Sequence, residues 1–313
     1  MSFALAMILA MAIDALIGWP DRLFRRIGHP VTWLGALIGA LERGLNRLDL
    51  NPLRRRILGT AAALAAISAA ALPALAISTA LPETWLGTLL TGLLAWPLVA
   101  TRSLHDHVAA VARPLAAGDL ASARIELAKI VGRDPTKLDE AGVSRAALES
   151  LAENASDGIT APIFWGALFG LPGIAGYKAI NTLDSMLGHR TPRLEAFGWA
   201  SARIDDVANL IPARLTGLLF ALAGLKPRRA FACMLRDARK HRSPNAGWPE
   251  AAMAGVLGVR LSGPRIYEGR LSAEPWVNAG APDPGPREIS AGLSLMRRAM
   301  GLLAGVLALV AFT

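Results

Sequence analysis

Six long apolar runs constrain the fold of this chain more than any other feature. A helix needs about 20 predominantly apolar residues to cross the hydrocarbon core of a bilayer, and each run reaches or approaches that length. Backbone polar groups inside lipid must pair with one another, and helices pair them within one segment. The sequence therefore predicts an all-α fold, a polytopic integral membrane helical bundle that forms one membrane-embedded domain over 1–313. The apolar runs lie at about 3–19, 57–81, 85–101, 159–177, 210–225 and 300–313.

Basic residues orient the predicted spans. The chain carries 33 Lys and Arg against 24 Asp and Glu, a formal net charge of +9. Eight of the basic residues lie in 20–56 and seven in 102–158, whereas the tight turn at 81–84 has none. Connections rich in Lys and Arg stay on the cytoplasmic side, so this turn is expected to face outward. Aromatic residues make up only 6% and do not alternate with arginine, which argues against a nucleic-acid partner.

Two of the apolar runs leave the topology open. A full crossing at 159–177 would carry 178–209, with its four basic residues, to the outer side. Proline and glycine interrupt 159–177, and Pro212 and Arg214 interrupt the start of 210–225. In membrane proteins such residues also mark broken helices around sites. Either both runs cross, or both are buried or re-entrant and 178–209 stays near the cytoplasmic face; we favour the second.

The segments outside the apolar runs are predicted to be mainly helical. Apolar residues at helical spacing predict a helix over 34–48, and Gly118-Asp119 begins another helix that ends at Gly132. The Pro- and Gly-rich stretch 263–290 predicts an irregular connection. The single cysteine, Cys233, excludes an intramolecular disulfide and a multi-cysteine metal site.

A cluster of polar residues precedes the fourth apolar run. Glu149 and Glu153 are one helical turn apart and share a face, with Asn154 next in the chain. Like charges at that spacing cost a helix about 0.2–0.5 kcal/mol, and a cation bound between them would reverse the sign. Two solvated surface carboxylates followed by a helix-ending Asp-Gly explain the pattern equally well.

A second polar group lies between the fourth and fifth apolar runs. Adjacent carboxylates there are hard oxygen ligands of the kind that hold Mg²⁺ together with phosphate. Ionisable residues near membrane depth are costly and usually functional. A simple Arg203–Asp206 ion pair at a helix end is the alternative reading. The group consists of Lys178, Asn181, Asp184, Arg203, Asp205 and Asp206.

The segment 241–250 predicts an anion site. His241 and Asn245 precede Pro249, which suits the first position of a helix. The free amides of a helix N-terminus bind anions. Taken alone, His241 is more often a polar surface histidine. The sequence contains no G-x-x-x-x-G-K-[ST] motif, so a nucleotide would not be held by a standard phosphate loop.

These same segments resemble the CobD/CbiB family, the adenosylcobinamide-phosphate synthases of cobalamin (vitamin B12) biosynthesis. Each stretch is short, but their joint order and spacing within a hydrophobic chain is specific. The matching stretches run nearly from end to end, at 14–20, 28–31, 131–134, 149–158, 177–186, 201–206, 212–214 and 241–245.

The resemblance implies an ATP-dependent amide ligation in the inner membrane, with ATP and Mg²⁺ as cofactors. The propionate carboxylate of adenosylcobyric acid would be joined to aminopropanol O-phosphate or a related amino-alcohol. The implied partners are these small molecules and membrane lipid, with other cobalamin-pathway enzymes left open. A membrane sensor of the AmpE type, without ligase activity, is the alternative that the shared architecture leaves open.

The chemistry of such a ligation suggests roles for the polar residues. Carboxylates that hold Mg²⁺, cations that bind phosphate and a base for the amine are all needed. ATP is cytoplasmic, so 149–158, 177–185, 201–209 and 241–250 are expected to form one site facing the cytoplasm. The predicted metal ligands are Asp184, Asp205 and Asp206, and the catalytic candidates are Glu149, Glu153 and His241. The predicted substrate- or ATP-binding residues are Arg133, Asn154, Lys178, Asn181, Arg203 and Asn245.

Overall fold

The structure, a computed structural model, describes residues 2–132, 134–267, 270–272 and 274–312. Arg133, a predicted phosphate partner, lies outside the described residues. In chain order the helices are α1 (Phe3–Ile17), α2 (Asp21–Ile27), α3 (Pro30–Leu45), α4 (Pro52–Ala80), α5 (Trp85–Ala95), α6 (Thr101–Ala116), α7 (Leu120–Leu127), α8 (Glu140–Ala155), α9 (Ala161–Leu187), α10 (Trp199–Ala208), α11 (Leu210–Ala223), α12 (Pro227–Asp237), α13 (Gly247–Leu257) and α14 (Pro286–Ala311).

The strands of the described residues are short and confirm that the fold is all-α in class. They are β1 (Leu261–Ser262), β2 (Arg265–Tyr267), β3 (Arg270–Ser272) and β4 (Trp276–Val277). β1 pairs with β4 and β2 with β3, both antiparallel. The connection predicted to be irregular over 263–290 therefore contains paired short strands, and α14 begins within it.

The chain separates into two compact units. Unit 1 comprises 1–100, 161–209 and 306–313, and unit 2 comprises 101–160 and 210–305. In unit 1, α9 packs against α1, α3, α4 and α10. In unit 2, α13 packs against α8, α11 and α12. The assignment of one catalytic domain to 1–313 stays a prediction.

Local capping explains where many of the helices begin. The Ser2 side chain accepts from the Leu5 N–H at the start of α1, and Asp139 accepts from Gly142 at the start of α8. His29 and Thr32 cap α3 reciprocally. Each cap satisfies backbone N–H groups that the first turn of a helix leaves unpaired. α7 begins after Asp119 as predicted but ends at Leu127, five residues before Gly132.

Three helical stretches among the described residues are long and apolar enough to cross a membrane: Pro52–Ala80, Glu140–Leu187 and Pro286–Ala311. Two bent pairs, Phe3–Ile17 with Asp21–Leu45 and Trp199–Ala208 with Leu210–Ala223, raise the number to five. The first pair bends by 108°. A multi-pass membrane protein follows from these helices.

The predicted span at 85–101 is wrong as a full crossing. The helix there, α5, has 11 residues and gives way to a 3₁₀ turn at Trp96–Leu98. At 1.5 Å per residue it is about 16 Å long, roughly half of the hydrocarbon core. Pro97 lies in that turn, and proline removes a hydrogen-bond donor and disfavours helix for the residue before it.

The predicted interruption of 159–177 is confirmed. Gly170 has φ +66°, in the left-handed region, and breaks the helix inside α9. Between α8 and α9 the backbone passes through one π-helical turn at Ser156–Thr160. Asp157-Gly158 therefore does not end the helix. π turns inside α-helices frequently accompany functional sites.

Candidate active site

Six of the predicted site residues lie in unit 1, on the second half of α9 and on α10. Lys178, Asn181 and Asp184 follow one another at three-residue spacing on α9. That spacing turns each side chain about 60° from the last, so Asn181 lies between the other two around the helix. Lys178 is 9% exposed, which is low for a cation.

Asp184 and Asp206 form an acidic pair within unit 1. The Asp184 carboxylate lies within electrostatic reach of both Asp206 and His189. Asp206 accepts from Arg203 Nη1 at 3.3 Å. Gly188 permits this arrangement, because a Cβ there would overlap the Asp184 carboxylate.

Asp205 takes part in a different hydrogen-bond network from Asp206. Asn209 Nδ2 donates to Asp205 Oδ2 at 3.0 Å, and Tyr177 Oη donates to Asn209 Oδ1 at 2.8 Å. Tyr177 and Asn209 are 2% and 1% exposed. This chain of hydrogen bonds ties α10 to α9. The role of Asp205 as a metal ligand stays a prediction.

Lys178 lies close to a histidine that the sequence reasoning did not select. His29, the N-cap of α3, is within electrostatic reach of Lys178. The His29 ring packs edge-on against Trp19 with centroids 5.0 Å apart. The sequence did point to His29, because this residue lies in the family-like stretch 28–31.

In unit 2, Glu149 is a positioned, buried carboxylate. It is 6% exposed, and its Oε1 accepts from the backbone N–H of Ser262 at 2.8 Å. Ser262 has φ +59°, in the left-handed region. The reading of Glu149 as a solvated surface residue is therefore wrong. A carboxylate held in this way keeps one orientation.

Glu153 and Asn154, one turn further along α8, are exposed. Asn154 Nδ2 donates to the backbone oxygen of Ser150 at 2.9 Å. Ser150 Oγ donates to the Ile130 carbonyl at 3.0 Å, which attaches α8 to the end of the segment after α7. Glu149 and Glu153 thus share a helix face but differ in burial.

His241 is held by a tight turn and faces a buried carboxylate. The Ser243 N–H donates to His241 Nδ1 at 3.0 Å, which leaves the proton of the neutral ring on Nε2. Nε2 is 3.7 Å from Glu250 Oε1, and the two side chains are 9% and 3% exposed. Glu250 was missed as a site residue, although it directly follows Pro249. The reading of His241 as a surface histidine is wrong.

The helix after this turn begins earlier than predicted. α13 starts at Gly247, so Pro249 is its third residue and not its first. Asn245 Oδ1 accepts from Arg214 Nη1 at 3.3 Å, and the Arg214 guanidinium lies 4.6 Å from the centre of the Trp248 ring. The predicted anion site thus contains a cation that sequence spacing did not associate with it.

Asp237 anchors the beginning of the turn. Its side chain is fully buried and accepts hydrogen bonds from Arg236 at 2.7 Å, Lys240 at 2.8 Å and the Asn278 N–H at 2.8 Å. Burial acts against the charge, but these donors outweigh it and hold the pKa of Asp237 well below its usual range. The neighbouring Cys233 is buried, and burial raises its pKa to about 12, so its thiol is inert.

The carboxylates of unit 1 are of the type that Mg²⁺ binds together with phosphate. No group of three or more His, Cys, Asp or Glu side chains in the described parts of the chain is arranged to hold a metal by itself. Mg²⁺ usually takes one or two protein carboxylates and fills its other positions with phosphate oxygens and water. Asp184 and Asp206 are two such carboxylates, and their role as metal ligands stays a prediction.

Comparison with known proteins agrees with the resemblance read from the motifs. A family model described as "CobD/Cbib protein" matches residues 7–296. No solved structure matches the chain significantly.

The curated relatives cover the chain almost completely. "Cobalamin biosynthesis protein CobD" of Rhodobacter capsulatus is 64% identical over 311 residues, 99% of this chain and 98% of the relative. Proteins of the same name from Brucella suis and a Sinorhizobium species are 47% and 45% identical. They cover 95% and 98% of this chain, and 94% and 98% of their own lengths. The chain belongs to the CobD/CbiB family.

Proposed function

We propose that this chain is an enzyme of cobalamin biosynthesis that forms an amide bond at the expense of ATP. It joins the propionate carboxylate of adenosylcobyric acid to aminopropanol O-phosphate or a related amino-alcohol, giving adenosylcobinamide phosphate. The observation that carries the proposal is the 64% identity, over 99% of the chain, to a protein named for cobalamin biosynthesis. We place the protein in the cell inner membrane with its site facing the cytoplasm, where ATP is available.

The chemistry of the ligation sets three requirements. A carboxylate is a poor electrophile, so one of its oxygens first attacks the γ-phosphorus of ATP, and ADP leaves. The amine then attacks the acyl carbon, inorganic phosphate leaves, and the amine loses a proton. The protein must stabilise charge on phosphate, accept that proton and keep the acyl phosphate from water.

The polar residues of unit 1 suit the phosphate chemistry. Asp184 and Asp206 would hold Mg²⁺, which neutralises phosphate charge when bound. Arg203 already contacts Asp206 and presents further N–H donors to phosphate oxygens. Lys178 is a buried cation, and a cation in a low-dielectric setting acts more strongly on a phosphate than one in water.

The polar residues of unit 2 suit the proton transfer. Glu149 is buried and oriented by the Ser262 N–H, whereas Glu153 is exposed. His241 directs an N–H towards Glu250, and that carboxylate would stabilise the imidazolium form. Glu149 and Glu153 are therefore the better candidates for a base in this geometry, and His241 is better placed to orient or to donate a proton.

A direct reconstitution tests the proposal. Protein purified in detergent is incubated with ATP, Mg²⁺, adenosylcobyric acid and aminopropanol O-phosphate, and the corrinoids are analysed by mass spectrometry. We expect a product whose mass equals the two substrates less one water, formed only when ATP is present, with one ADP released per product. ADP release without the product, or no turnover by folded protein, would contradict the ligase assignment.

A genetic test separates the ligase from an AmpE-like sensor. Deletion of the gene should abolish cobalamin synthesis, and added cobinamide should restore it, because cobinamide enters after the proposed step. A sensor without ligase activity predicts instead that the deletion strain still makes adenosylcobinamide phosphate.

A further inference from the structure

Unit 1 contains an apolar groove of about 990 Å³. α4, α9 and α10 form it, and its apolar lining includes Ile67, Leu75, Trp165, Phe169 and Val207. The volume lies at the upper end of the range of about 300–1,000 Å³ usual for ligand sites. The ligation chemistry proposed above does not require an apolar groove of this size.

The polar groups of the lining are almost all engaged within the protein. Thr60 Oγ donates to the Arg56 carbonyl, Tyr177 Oη to Asn209 and Trp165 Nε1 to the Ala208 carbonyl. A nucleotide or an amide-bearing corrinoid placed here would leave many of its polar groups without partners, at a cost of about 1–3 kcal/mol for each. The groove therefore suits a ligand whose buried part is hydrocarbon.

The dimensions of the groove fit an acyl chain. Thr60 and Leu75 both line it and lie 15 residues apart on α4, which corresponds to about 22 Å along the helix. One leaflet supplies about half of the hydrocarbon core of about 30 Å, so the groove is long enough for an acyl chain of a lipid in that leaflet. α4 is also the candidate span least covered by protein, with 17% of its apolar window buried. Lipid is the solvent that such a helix face meets.

One end of the groove is basic and aromatic. Trp199 lines it, and the Arg56 guanidinium lies 5.7 Å from the centre of the Trp199 ring. Arg56 is exposed and has no carboxylate partner in the described parts of the chain. Arg203, also in the lining, is paired with Asp206. Tryptophan and arginine at one level are typical of the membrane–water interface.

We propose that this groove binds one anionic phospholipid. An acyl chain lies along α4, α9 and α10, and the headgroup phosphate meets Arg56 beside Trp199. The apolar lining accounts for the affinity for hydrocarbon, and the unpaired charge of Arg56 accounts for the preference for an anionic headgroup. Neither Arg56 nor the apolar lining is assigned a role in the ligation chemistry, and Arg203 is the one residue of the lining that the proposed function also uses.

Native mass spectrometry of detergent-purified protein tests the proposal. The probes are phosphatidylglycerol and phosphatidylcholine with the same acyl chains, added at equal concentration. We expect one phosphatidylglycerol per chain and a preference of about fivefold over phosphatidylcholine. That factor corresponds to about 1 kcal/mol for one basic residue at an anionic lipid surface.

Two matched pairs of variants locate the site. Ala71→Phe fills the groove, because Ala71 lines it, whereas Ala65→Phe places the same ring on an exposed position of α4 outside it. We expect the first variant to lose both lipids and the second to keep them. Arg56→Gln should remove the fivefold preference, and Arg54→Gln, at an exposed position outside the groove, should retain it.

The outcomes are distinguishable from one another and from failure of the proposed function. Equal lipid retention in Ala71→Phe and Ala65→Phe, or no headgroup preference in the wild-type protein, would overturn the proposal. A dimer that Ala71→Phe dissociates, without bound lipid, would assign the groove to a second copy of the chain. If Ala71→Phe does not fold, the Arg56 and Arg54 pair still decides. None of these outcomes depends on ligase turnover.

Discussion

Asp237→Asn is expected to loosen the turn that carries His241. Asp237 is fully buried at the end of α12, and its carboxylate gathers Arg236, Lys240 and the Asn278 N–H. An asparagine of the same size keeps one acceptor oxygen and turns an NH₂ group towards the remaining donors. Because Lys240 directly precedes His241, the loss acts on the segment that positions the imidazole.

The structure sets the magnitude of the effect. The Arg236 and Lys240 side chains are 51% and 48% exposed, so each lost ion pair is worth about 0.5–1 kcal/mol and not the larger value of a buried pair. The Asn278 N–H loses a charged acceptor, which costs about 1 kcal/mol more. The sum is about 2–3 kcal/mol, or roughly a 30- to 150-fold increase in the population of the open form.

Cys233 provides the assay. It is the only cysteine, it is 2% exposed, and it contacts Asp237 across one turn of α12. A thiol reagent therefore reacts only when this part of unit 2 opens, and the reaction rate follows the open population. We expect Asp237→Asn to be labelled about 30- to 150-fold faster than the wild-type protein at pH 7.5. Asp21→Asn, an exposed change in α2, serves as the control.

Two results would refute this reasoning. A labelling rate within twofold of the wild-type value would mean that the Asp237 network does not stabilise the turn. Equal acceleration in Asp21→Asn would mean that the rate reports general unfolding.

The pH dependence of stability provides a separate check. Because the pKa of Asp237 in the folded protein is lowered, its contribution to the stability is complete above about pH 4, the ordinary range of an aspartate. It should disappear as the pH falls below that value, and the thermal midpoints of wild type and variant should then converge.

Four further outcomes are expected. Asp206→Asn should remove most ligase activity with little change in thermal midpoint, since only a half-exposed ion pair is lost. Asp205→Asn should lower both activity and midpoint, because it weakens a buried network; near wild-type rates for both at low Mg²⁺ would place the metal elsewhere. Glu149→Gln keeps an acceptor for its backbone partner, so a loss of kcat of about 100-fold without destabilisation would identify the charge as functional. In a cysteine-free background, an impermeant reagent applied to spheroplasts should label a cysteine at Thr84 but not one at Ser185; labelling of both would mean that 159–177 is an ordinary crossing.

Much of the local structure followed from the sequence because its causes lie within one or two helical turns. The apolar runs predicted helices, and the glycines within 159–177 predicted a break that the structure places at Gly170. The prediction for 85–101 failed because hydropathy measures composition, whereas Pro97 lies in the 3₁₀ turn that ends the helix after 11 residues. The start of α14 at Pro286 was missed, because it lies within the Pro- and Gly-rich stretch 263–290 that predicted an irregular connection.

The sequence by itself determined that this is a helical, multi-pass membrane protein of the CobD/CbiB family, because hydropathy and motif order are properties of the linear chain. Only the tertiary structure separated Asp205 from Asp206. Adjacent residues on a helix point about 100° apart, and packing against α9 brings Tyr177 to the Asn209 that bonds Asp205, while it leaves Asp206 beside Asp184. It alone paired Glu149 with a backbone donor 113 residues away. Such partners depend on which helices pack together, and the burial of whole helix faces determines that packing.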